Sequence, residues 1–253
     1  AAGRTVVQVV GSTAVDEEAT SAMVNDLRDI AADVAPSALV GGPAAQNTDL
    51  ADMLTGKAPL AIGLIMATLK LSDLKPYRRF ATTYVEIFRG LPALLTIFII
   101  GYGIPTAFGW QFPEVLGVDS SGAVALSLVA GAYLAETIRA GIEAVPRGQV
   151  EAARSLGMST GLTTRSIVLP QAFRVILPPL TNELVLLLKD TSLLAVLGVA
   201  IGQRELTTWG RTISNSIGNY TPLMAAAVCY LAITLPLTFL ARWVERRTQA
   251  DRR

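Results

Sequence analysis

The 253-residue chain is 51% hydrophobic and 16% charged, with a mean hydropathy of +0.47. Soluble domains carry about 25% charged residues, so much of this surface is expected to face lipid. A net charge of +1 leaves no electrostatic footprint for nucleic acid, and the lack of histidine with a single cysteine, Cys229, excludes disulfide frameworks and His/Cys metal sites within the chain. Cys229 itself reads as a small apolar filler in a membrane helix.

Alanine opens the chain and no basic-then-apolar leader follows it, which points to a start that has been removed or to an incomplete natural reading frame. The first residues read as an α/β segment over 1–58. Thr5 to Val10 is a β-branched run suited to a buried strand. Ser12 or Thr13 can cap a helix whose apolar positions recur through Val15, Ala19, Met23, Leu27, Ile30 and Val34. Pro36 stops it, and Ala38 to Val40 before Gly41-Gly42 suggests a second strand. One such βαβ-like unit is too small to bury a core alone.

From Pro59 the character changes to an all-α polytopic membrane protein. Gly90 to Pro113 holds 24 residues without a charge and Thr212 to Ala241 holds 30; about 20 apolar residues cross a bilayer as a helix. Ser120 to Ala135 runs apolar into Glu136 and Arg139. Val175 to Gln203 is apolar except for Glu183 and Lys189-Asp190, charges that should face protein or a water-filled path. Pro59 to Leu71 is short for a span. The expected spans are therefore about 59–71, 88–110, 120–142, 175–201 and 218–243, the first of them incomplete and loosely packed.

Basic residues orient these spans. Lys70, Lys75, Arg78 and Arg79 follow the first; Arg147, Arg154, Arg165 and Arg174 follow the third; Arg242, Arg246, Arg247, Arg252 and Arg253 close the chain. Those segments are expected in the cytoplasm, with the N-terminus outside and the C-terminus inside a bacterial cell membrane.

The polar stretch 143–174 carries Glu151-Ala152-Ala153, then Gly157, then Ile167, Leu169 and Pro170. Pro146 can open a short helix, small alanines let a partner approach, and Gly157 supplies a sharp turn. A second short helix is expected from Gly161 to Leu169, ended by Pro170. The pair makes either a knob that fits a groove or an ordinary amphipathic connector.

The spacing Glu-Ala-Ala, three residues, Gly, nine residues, Ile-x-Leu-Pro resembles the EAA loop of ABC importer permeases. Ala132 to Arg139 with Val145 to Gln149, Phe88-Arg89-Gly90-Leu91-Pro92, and Asn182-Glu183 with Leu187 to Leu193 resemble stretches of the polar amino acid permeases in that family. The resemblance covers about residues 64–250. It implies the type I ABC importer permease fold and a coupling loop of Glu151, Ala152, Ala153, Gly157, Ile167, Leu169 and Pro170. It also implies a second permease subunit (the same chain or a different one), a dimer of ABC ATPases, and an extracytoplasmic solute-binding protein. On this reading the chain is not an enzyme and binds no cofactor: it lacks a G-x-x-x-x-G-K-[S/T] loop, and ATP and Mg belong to the partner ATPase.

Membrane lipid is the remaining expected partner, and nucleic acid is not one. A zwitterionic amino acid needs both a cation and an anion to replace its water, so Glu136, Arg139, Asn182, Glu183, Lys189 and Asp190 are candidates for a substrate pathway. The same charges also suit structural pairs between helices.

Residues 1–63 instead resemble part of the extracytoplasmic porter domain of MMPL exporters, through Gly3 to Val9, Ala38 to Gly42, Ala45-Gln46-Asn47 and Asp49-Leu50. Two half-patterns meeting inside one helix suggest a fusion, a recombined reading frame or an assembled sequence. The competing functions are a fragment of a proton-driven exporter and a membrane scaffold without transport.

Overall fold

The computed structural model describes residues 26, 27, 29, 57–112, 114, 115, 118–197 and 206–250. Asp26, Leu27 and Asp29 are helical, within the stretch expected to be a helix; the strands expected at 5–10 and 38–40 lie outside the described residues. The helices below belong to one compact unit, Met53–Pro113 with Val118–Arg253.

Helix α1 (Ala58–Leu71) opens with Pro59 in its first turn and ends with Lys70 in its last, the polarity that the helix dipole favours. At about 1.5 Å per residue it spans roughly 21 Å, less than a hydrocarbon core of about 30 Å. Its short length does not leave it loose, which corrects that expectation. Pro59, Gly63 and Ala67 recur every four residues as a buried face packed on α5 (Ser121–Glu143). A Cβ at Gly63 would sit 2.6 Å from Leu134 Cβ, and one at Gly131 would sit 2.5 Å from Ile62 Cγ2. Small residues on both helices thus let the two backbones close on each other, the main source of helix association in lipid.

The basic segment after α1 is helical: α2 (Lys75–Gly90) has Pro76 in its first turn and buries Ala81 and Val85. Leu91-Pro92 breaks it, and the chain resumes as α3 (Ala93–Phe98), a π-helical turn (Ile99–Gly103) and α4 (Ile104–Phe108). The two halves meet at 106°, so a helix break falls inside the stretch 88–110 expected to form the second span. Two-residue strands at Glu114–Val115 and Val118–Asp119 follow.

Ser121–Glu143 is long and apolar enough to cross a membrane, as is Thr221–Arg247. Between 147 and 190 the chain is almost wholly helical: α6 (Arg147–Ser155), α7 (Thr160–Thr163), a second π-helical turn (Thr164–Val168), and α8 (Leu169–Asp190) passing into a 3-10 turn (Thr191–Leu197). Pro170 therefore does not end a helix. Pro105 and Pro170 each follow a π-helical turn in which a backbone N–H reaches back five residues, Ile104 to Ile99 and Leu169 to Thr164. A proline has no N–H and its ring crowds the preceding turn; the wider π turn absorbs that conflict without stopping the helix.

The 30-residue charge-free run 212–241 is likewise two helices. Helix α9 (Leu206–Ile217) stops at Gly218, whose φ of +65° is left-handed and costs glycine nothing. Asn219 Oδ1 accepts the Thr221 N–H at 2.9 Å and starts α10 (Thr221–Ala250).

Two apolar clusters mark the ends of the bundle. One joins Ala67, Val85, Ala135, Ile138, Val145, Val168, Ala172 and Ile176; the other joins Ile97, Ile100, Ala125 and Leu126, with Leu187 and Leu193 against them. The end of α1, α2, the 146–170 stretch and the start of α8 therefore share one end.

Candidate functional site

At that end, α6 follows Pro146 and presents Glu151 and Ala152 outward while Ala153 is buried. Gly157 takes φ +83° with no atom near the position of a Cβ, so backbone conformation and not space reserves the site for glycine. The Met158 N–H donates to Ala153 O at 3.1 Å and the Gly157 N–H to Arg154 O at 3.0 Å, closing the turn. Arg154 Nη1 donates to Met158 O at 2.6 Å, and Ser159 Oγ accepts the Leu162 N–H at 3.3 Å, capping α7. Leu156 projects from this knob at 83% exposure and Leu162 at 50%. Ile167 is half-buried beneath it, and Leu169 and Pro170 are exposed.

Beside the knob, α2, α5 and α8 enclose an open cleft of about 290 Å³ lined by Arg89, Tyr133, Glu136, Thr137, Ala140, Gly141, Val175, Pro179 and Glu183. That volume is near the lower end for small-molecule pockets, about 300 Å³. The helices approach closely at its base, where a Cβ on Gly141 would lie 2.2 Å from Ile176 Cγ1. Arg89, in the last turn of α2, lays its guanidinium over the Tyr133 ring at 5.3 Å, a cation–π contact. Glu136 accepts from Lys70 Nζ at 2.7 Å through Oε2. Through Oε1 it accepts from Arg139, whose Nε lies at 3.1 Å and which also pairs with Glu143.

Of the sequence candidates, Glu136 and Glu183 therefore meet in one cleft. Arg139 instead turns along α5 to the carboxylates one turn either side, the short-range pairing its spacing favours. Lys189 lines a separate cavity of about 450 Å³ with Ser192, Thr207, Tyr230 and Thr234. Asn182 and Asp190 line neither. The cleft's cation is Arg89, which the sequence reading held only as part of a motif. Its signal was position: it is the last charge before the uncharged stretch that begins at Gly90. Among the described residues no group of three or more His, Cys, Asp or Glu side chains could hold a metal ion.

Residues 60–250 match the model of the binding-protein-dependent transport system inner membrane component. The chain belongs to that family. It is thus the membrane permease subunit of an ABC importer and not an enzyme, with the type I permease fold expected from its motifs. The arginine transport system permease protein ArtQ of Bacillus subtilis is 35% identical over 192 residues, 76% of this chain and 84% of that protein. A Rickettsia conorii protein named for glutamine transport is 39% identical over 189 residues, 74% of this chain and 83% of its own length.

Among solved structures, an amino acid ABC transporter with histidines is 33% identical with a TM-score of 0.69, covering 93% of this permease and all of that chain. The MetNI methionine ABC transporter shares the fold at 19% identity and a TM-score of 0.59, over 80% of this chain and 93% of that one. The fusion, the exporter fragment and the scaffold find no support in these comparisons.

Proposed function

We propose that the chain forms the substrate pathway for polar amino acids, paired with a second permease subunit, fed by a solute-binding protein and driven by a dimeric ATPase docked on the 146–170 knob. The observation that carries the substrate class is the cleft: Arg89 stands on one wall, Glu136 and Glu183 on the others. A guanidinium can take the α-carboxylate of an amino acid in two parallel hydrogen bonds. Glu183, which has no salt bridge among the described residues, can take the ammonium group, while Lys70 and Arg139 already occupy Glu136. The names of the relatives, for arginine, glutamine and amino acids, agree with this chemistry.

The coupling residues are Glu151, Ala152, Ala153, Gly157, Ile167, Leu169 and Pro170. Their end of the bundle faces the cytoplasm on this reading, where the loops rich in lysine and arginine lie, with the C-terminus on the same side.

Uptake of labelled amino acids by the reconstituted complex tests the pathway. Arg89→Gln and Glu183→Gln should each lower uptake about tenfold or more, since a hydrogen bond to a charged group contributes about 1.5–3 kcal/mol. Binding of the amino acid to the free solute-binding protein should not change. If both variants transport at the unsubstituted rate, the cleft is not the pathway.

A further inference from the structure

Helix α2 has a surface that neither transport nor coupling uses. Every residue from Asp73 to Phe80 is exposed, and among the described residues Lys75, Arg78 and Arg79 make no salt bridge. Lys75 and Arg79 are four apart and share a strip of the helix; Phe80 and Ile87 are seven apart and share the next. Both strips lie outside the face buried through Ala81 and Val85. Phe80 is 60% exposed, Tyr77 51% and Ile87 49%. The acids nearby are Asp73, before the helix, and Glu86, two turns beyond Arg79 at about 10 Å of rise.

Geometry fixes where this surface points. The α3–α4 segment meets α2 at 106°, so when that segment crosses the bilayer, α2 runs close to the membrane plane. Val85 shares its apolar cluster with Val145 and Val168, which puts α2 at the coupling end, where a bilayer surface and not its interior is met. A helix in that plane with an aromatic and aliphatic edge beside a basic strip has the composition of an interfacial helix. Tyrosine suits the headgroup level, and each lysine or arginine there attracts anionic lipid.

We propose that α2 is a binding site for anionic phospholipid headgroups, held by Lys75, Arg78 and Arg79, with Phe80 and Ile87 seated among the acyl chains. This goes beyond the transport reading and rests on α3–α4 crossing the bilayer, not on the substrate.

The full chain with Cys229→Ala and Thr83→Cys, labelled with a bimane at the new thiol and reconstituted in mixed bilayers, provides the test. Thr83 is exposed on α2 between the two strips. Spin-labelled phosphatidylglycerol should quench the bimane severalfold more than spin-labelled phosphatidylcholine. The preference should shrink as salt rises and vanish in Lys75→Gln/Arg78→Gln/Arg79→Gln. Equal quenching by the two lipids in the chain with its cations intact overturns the site, and so does a preference that survives the triple substitution. Quenching requires no transport, so this result is independent of the uptake experiment.

Discussion

Lys70 Nζ lies 2.7 Å from Glu136 Oε2, tying the last turn of α1 to the wall of the cleft. Both side chains are largely buried, at 15% and 22% exposure. Lys70→Met should therefore destabilise the protein by about 1–3 kcal/mol, softened because Arg139 still pairs with Glu136. Lys70→Arg should retain most of the stability. Thermal unfolding of the purified chain in detergent measures both; an unchanged Tm for Lys70→Met would mean that the small-residue seam alone holds α1.

Gly141 and Ile176 set the distance between α5 and α8. Gly141→Ala puts a methyl group 2.2 Å from Ile176 Cγ1, an overlap that should cost about 1–3 kcal/mol and move the cleft walls apart. Adding Ile176→Ala should recover part of the loss, because it removes the Cγ1 and Cδ1 atoms that the new methyl would meet. Tm and uptake of the two single variants and the double variant form a cycle; full additivity would place the two effects in separate contacts.

How much of this was legible beforehand depends on the range of the forces involved. The Gly157 turn could be read because a left-handed residue closing a short helix is a local requirement that glycine meets. The all-helical membrane architecture could be read because lipid demands long apolar runs. The breaks inside those runs were harder: Gly218-Asn219 is uncharged, so hydropathy passes over it, although glycine followed by a capping asparagine is a turn signal. Pro170 was misread as a stop because the π turn that accommodates it depends on the helix continuing beyond.

The packing of α1 and the identity of Arg89 as the cleft's cation were not legible. Gly63 facing Leu134, and Arg89 meeting Tyr133, are contacts between residues 71 and 44 positions apart that only the folded bundle brings together.

Orientation has its own test. Cysteine introduced at Ser216, exposed near the end of α9, should react with an impermeant thiol reagent from outside, and cysteine at exposed Ser159 only after permeabilisation. Cys229 is exposed and must first be replaced by alanine. The opposite labelling pattern would reverse the topology and move the knob away from any cytoplasmic ATPase.

The coupling role of the knob is tested most directly by the ATPase activity of the assembled complex on adding substrate-loaded binding protein. Gly157→Pro forbids the φ of +83° that the turn needs, and Glu151→Lys reverses the charge that α6 presents outward. Both variants should insert and fold yet lose most of the stimulation, with the ATPase detaching on purification. Normal stimulation in either variant would contradict the assignment of residues 146–170 as the surface through which this permease is driven.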